Sequence, residues 1–137
     1  MTKTLIFIMV FLFSQVRAQE PLACENKNMF ITKLSHICEY PIKLQEKNQE
    51  AFVAIEYQTN GKGFAIKRKI VMCDNKRFRK AALRAFDKMR NVQIETEEKR
   101  DTLYFQYKIQ GSQTPIHPLT DIKIIGYGSC DKPVLMK

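Results

Sequence analysis

Apolar and polar residues alternate from Ala51 to Gln58. Val53, Ile55 and Tyr57 share one parity, and Glu56 and Gln58 share the other. Period two with β-branched and aromatic side chains predicts a strand. Thr59-Asn60-Gly61-Lys62-Gly63 reads as a turn, and Asn60-Gly61 suits the positive φ of a tight hairpin. Phe64–Met72 is the expected return strand. Phe64, Ile66 and Ile70 lie on one parity, and Ala65, Lys67, Lys69 and Val71 on the other; Arg68 falls on the apolar parity and breaks the pattern. The period then changes. Asp74, with Asn75 as a second candidate, reads as a helix N-cap. Behind it Phe78, Ala81, Ala82, Ala85, Phe86 and Met89 form one apolar helical stripe, which Asn91 ends. Residues 95–101 read as a charged loop. Thr102–Ile109 predicts a third strand, with Leu103, Phe105, Tyr107 and Ile109 on one face.

The flanks are less regular. Met29, Phe30, Ile31, Leu34 and Ile37 suit either a short amphipathic helix or a strand. Pro41 biases Tyr40 toward extended backbone and can open a short helix, Ile42–Lys47. Gln110–Pro118 reads as a loop, Asp121–Tyr127 as a candidate fourth strand, and the chain after Cys130 as irregular. The expected class is α+β: an antiparallel sheet of three to four strands with one long helix on one face, burying the Phe78–Met89 stripe. Phe78 and Phe86 would each contribute roughly 2–3 kcal/mol on burial.

The N-terminus changes this picture. Lys3, the apolar run Leu5–Phe13 and Val16-Arg17-Ala18 have the layout of a secretory signal peptide cleaved after Ala18. The run is too short to span a bilayer. The expected organisation is therefore 1–18 signal peptide, 19–39 extension, 40–109 folded domain and 110–137 C-terminal extension, in a periplasmic or extracellular protein. The full chain of 137 residues has 23 basic and 14 acidic residues, a formal charge of +9. All four cysteines, Cys24, Cys38, Cys73 and Cys130, follow the expected cleavage point. An even count in an exported domain predicts two disulfides whose pairing stays open.

Catalytic and metal chemistry find little support, so neither an enzyme nor a cofactor is expected. The cysteines are scattered, and His36 and His117 are not at ligand spacing. His117 reads as a solvated loop residue, and Glu95, Glu97, Glu98 and Asp101 as a solvated charge run. The helix cations weigh more. Lys76, Arg77, Arg79, Lys80, Arg84, Lys88 and Arg90 are offset within that segment by Asp87 alone. They suit an anionic surface such as lipid head groups. Nucleic acid is not expected, because Phe78 and Phe86 lie on the apolar stripe and would not stack on bases. Thr102–Ile109 offers a second candidate. As an edge strand it could accept an extended peptide, with Tyr104, Gln106 and Lys108 facing outward.

Tyr40-Pro41, the strand Ala51–Tyr57, the turn Asn60-Gly61-Lys62-Gly63, the helix Phe78–Phe86 and the strand Leu103–Tyr107 together resemble the TonB C-terminal domain in order and spacing. The resemblance covers residues 40–109. It implies a non-catalytic envelope module whose last strand receives a short extended segment of an outer-membrane transporter. The long Pro-rich spacer, the uncleaved membrane helix and the Trp that family members often carry are missing here, which places energy coupling in question. The alternative from a different class is a small secreted, disulfide-stabilised protein that binds anionic surfaces through Lys76, Arg77, Arg79, Lys80, Arg84 and Lys88. A cystatin-like inhibitor ranks lower, since cystatins place the long helix before the first hairpin.

Overall fold

A computed structural model describes the backbone of residues 20–128 and the side chains of residues 26–128. The expected signal peptide and the tail from Cys130 lie outside these residues, as does the side chain of Cys24. Among the described residues no helix is long and apolar enough to cross a membrane.

The chain runs α1 (Glu20–Ile37), α2 (Ile42–Glu46), β1 (Ala51–Thr59), β2 (Ala65–Cys73), a 3-10 turn (Lys76–Phe78), α3 (Arg79–Asp87), β3 (Arg100–Ile109) and β4 (Ile122–Gly126). The four strands form one sheet in the order β2-β1-β3-β4. The α+β class is as expected, with two differences.

First, the sheet is mixed. β1 pairs antiparallel with β2 and β3, whereas β4 lies parallel to β3. A parallel neighbour cannot follow a tight turn, because the chain must return to the same end of the sheet. Residues 110–121 make that return. They cross the sheet face away from the helices, where Gln106 bonds to Pro115, His117 and Thr120.

Second, the single long helix is absent. The Phe78–Met89 stripe is divided between the 3-10 turn, the nine-residue α3 and the turns that follow. Asn75, not Asp74, is the cap: its side chain accepts from Arg77 N at 3.2 Å. Asp74 instead accepts from Phe52 N at 2.8 Å, extending the hairpin. The open N-terminal segment proves to be the 18-residue α1. Among its described side chains Phe30 and Leu34, one turn apart, are fully buried, and Phe30 meets Phe86 of α3 at 6.0 Å between ring centroids. The core thus lies between one sheet face and two helices, with Val53, Ile55, Tyr57, Leu103, Phe105, Tyr107 and Ile122 supplied by the strands.

The parity break in β2 has a geometric origin. Ala54 pairs with Met72 but Ile55 pairs with Ile70, and Gln58 pairs with Lys67 but Thr59 with Ala65. Val71 and Ile66 are therefore extra residues at two bulges, and each bulge reverses the in–out sense of the strand. Both are exposed. Arg68 lies on the same face as its inward partner Tyr57, and so points toward the helices.

The β1–β2 turn holds a second correction. The positive φ belongs to Gly63, at 85°, and not to Asn60 or Gly61. Asn60 works through its side chain, whose Oδ1 accepts from Lys62 N at 3.0 Å and Phe64 N at 3.1 Å. The Gly63 carbonyl in turn accepts from Ile94 N and Glu95 N, clamping the turn to the segment before β3.

Candidate functional site

The α3 segment presents two chemically opposite sides. Phe78, Ala82, Ala85, Phe86 and Met89 are buried, and Ala81 is half-buried. Lys76, Arg77, Arg79, Lys80, Arg84, Lys88 and Arg90 are all exposed. Arg90 reaches Asp87 at 3.7 Å. Among the described residues the other six cations form no ion pair. The one acid of the segment is already committed, since Asp87 holds Arg68 of β2. The amphipathic sequence pattern therefore leads to an unneutralised cationic surface.

A groove of about 430 Å³ opens beside this surface, between α3 and the chain from Ile37 to Lys43. Tyr40, Pro41, Ala81 and Ala85 line it, with Lys43, Arg84, Lys88 and Glu39 around them. Ile42 stands at the same place with 73% of its surface exposed. Its position follows from Pro41, which is extended at φ −60° and ψ 122° and leads into α2. A second groove, of about 590 Å³, carries Lys67, Lys69, Arg90 and Arg100 against Glu56. It continues the positive field around the free edge of β2.

The edge expected at β3 is not open. β4 pairs along it from Phe105–Ile122 to Ile109–Gly126. Tyr104, Gln106 and Lys108 do lie on the face away from the helices, but each is used within the chain. Tyr104 stacks on Phe52 with centroids 5.8 Å apart. Lys108 Nζ donates to Ser112 O at 2.6 Å. Gln106 is buried; its Nε2 donates to Pro115 O at 2.9 Å, and its Oε1 accepts from His117 N and the Thr120 hydroxyl, both at 2.9 Å. A buried amide satisfied on both sides anchors the crossover. The outer strands of the described sheet are β2 and β4; β2 carries Lys67 and Lys69 and two bulges, the usual devices that keep an edge from pairing.

The loop residues also find places. His117 stacks on Phe52 at 4.4 Å between centroids and accepts from Leu119 N through Nδ1. Glu95 is not solvated: it is buried and accepts from the Tyr57 hydroxyl at 3.2 Å. Glu50, which the sequence pattern did not single out, receives Ile109 N and the hydroxyls of Ser112 and Thr114. Burial pushes its carboxyl up, but these donors and Lys108 together hold it below the ordinary carboxylate range.

Among the described residues Cys38 and Cys73 form no disulfide. Both pack against the core, and both lie close enough to Tyr107 to bear on its hydroxyl. Burial pushes the Cys38 thiol up to about 11, with nearby Lys88 opposing. Cys24 and Cys130 fall outside the described side chains, so the expected two disulfides remain a proposal. Among the described residues no cluster of His, Cys, Asp and Glu could hold a metal ion.

No protein-family model, no curated protein and no solved structure matches this chain.

Proposed function

We propose that the protein is an exported, non-catalytic binding module that engages an anionic partner through the cations of Lys76–Lys88. One observation carries this reading: six exposed cations stand on one short segment with no neutralising carboxylate among the described residues. A positive field of this kind attracts polyanions over about a Debye length and is screened by salt. Phe78 and Phe86 are both buried, which leaves this segment without an exposed aromatic platform for bases. The test is retention on immobilised heparin as a function of salt, with a Lys76→Gln, Arg77→Gln, Lys80→Gln triple variant beside the native protein. Retention should fall steeply with salt and weaken in the variant. Absence of retention at low salt, or a variant that behaves as the native protein does, overturns the reading.

A second reading keeps the function that the TonB resemblance implies. A partner segment would add beside β3 after displacing β4. What favours it is the character of β4, a five-residue strand in parallel pairing, which is slightly weaker per residue than antiparallel. Against it stands Ile122, which is buried in the core.

A further inference from the structure

The groove beside α3 narrows the anionic partner to one class. We propose that this face docks on the surface of a bilayer containing anionic phospholipid, with Ile42 entering the interfacial region and Lys43, Arg84 and Lys88 meeting the phosphates. The inference rests on the anionic-partner reading above and adds to it a demand for an apolar contact.

A purely electrostatic site would be polar throughout. Here the cations surround an apolar floor. Tyr40 and Ala85 are core residues that also line the groove, and Ile42 is the most exposed large apolar side chain among the described residues, at 73%. It has cations on both sides: Lys43 follows it in α2, while Arg84 and Lys88 lie one helical turn apart across the groove. Glu39 is the one acid in the lining and is outnumbered three to one. An apolar residue ringed by cations is complementary to a membrane interface, where acyl chains lie below anionic head groups. Long cationic side chains can lay their stems on the apolar layer and keep their charges at the phosphates. A polyanion such as heparin satisfies the cations but offers nothing to Ile42.

The experiment compares three surfaces: phosphatidylglycerol-containing vesicles, pure phosphatidylcholine vesicles and immobilised heparin. It uses Ile42→Asn, the triple Lys43→Gln, Arg84→Gln, Lys88→Gln, and Met29→Asn as an exposed apolar control on α1. Thermal melting of each variant establishes that it is folded. The native protein should sediment with the anionic vesicles and leave the neutral ones. Ile42→Asn should weaken vesicle binding roughly tenfold while leaving heparin retention unchanged. The triple should weaken vesicle binding by roughly fivefold per cation, and Met29→Asn should match the native protein. Heparin retention without vesicle binding, or vesicle binding indifferent to Ile42→Asn, overturns the membrane inference and leaves the anionic-partner reading in place. Failure to bind either anionic surface overturns both.

Discussion

Arg68 of β2 meets Asp87 of α3 through two parallel hydrogen bonds, Nε to Oδ1 at 2.6 Å and Nη2 to Oδ2 at 2.7 Å. The fork fixes the sheet edge to the helix and withdraws the segment's one acid from its cationic surface. The hydrogen bond from Arg68, helped by its charge, holds the Asp87 carboxyl below its ordinary value, while burial opposes it.

Asp87→Asn should therefore lower stability by about 1–2 kcal/mol near neutral pH, measured by urea unfolding. Because the folded carboxyl titrates below the unfolded one, its contribution is complete above the ordinary value, about 4. It is lost as pH falls through that value toward the lowered one. The gap between native protein and variant should close in that window. A gap that stays constant through the acid range would show that charge is not its source.

Gly126 packs face-on against Tyr40, and an added Cβ would sit 2.7 Å from the ring. The ring cannot easily yield, since Tyr40 contacts Phe78 and Tyr107 edge-on and its hydroxyl donates to Gln49 O. Gly63 is tighter still, with a Cβ placed 1.7 Å from the Glu95 carbonyl oxygen at a φ of +85°. Gly126→Ala should cost about 1–3 kcal/mol, as overpacking does. Gly63→Ala should cost more, because backbone must move and the φ is unfavourable. Melting temperatures in that order support both contacts; a Gly63→Ala protein as stable as native contradicts the clamp.

β3 is an internal strand, so Gln106→Pro and Tyr107→Pro should both unfold the domain. Each removes a ladder donor, toward β1 or toward β4, and leaves a carbonyl unsatisfied at about 1–3 kcal/mol before the misfit of the proline ring is added. If either variant melts near the native temperature, one side of β3 is unpaired and strand addition there becomes the better reading. Gln106→Ala is milder. It strands His117 N, the Thr120 hydroxyl and Pro115 O, and should cost about 1–3 kcal/mol, with faster proteolysis within residues 110–121.

Cys38 should be a poor nucleophile in the native protein. Burial raises its thiol, and the thiolate is the reactive form. Under reducing conditions at neutral pH, maleimide should label it slowly, then rapidly after denaturation, as followed by peptide mass. Equal rates in both states would place the thiol at the surface.

Local pattern alone determined a good part of this protein. The alternation in Ala51–Gln58 and Thr102–Ile109, the turn chemistry of Asn60 through Gly63 and the stripe from Phe78 to Met89 all depend on neighbours within a few residues. The strands, the hairpin and the helical segment follow from them, as does the exposure of the seven cations opposite that stripe. Other features needed the tertiary structure. The bulges at Ile66 and Val71 exist only in the register against β1, so the inward sense of Arg68 could not be read from β2 itself. The parallel return of β4 depends on a crossover whose anchor, Gln106, resembles any outward polar residue until Pro115, His117 and Thr120 close over it. α1 has too polar a sequence to declare its period, and it is held as a helix by burying Phe30 and Leu34 against partners far along the chain. Glu95 and Ile42 show the two directions of the same effect. Packing buried a carboxylate that stood in a charge run and left exposed an isoleucine that hydrophobicity alone would have placed inside, because burial is decided by what the fold brings alongside a residue.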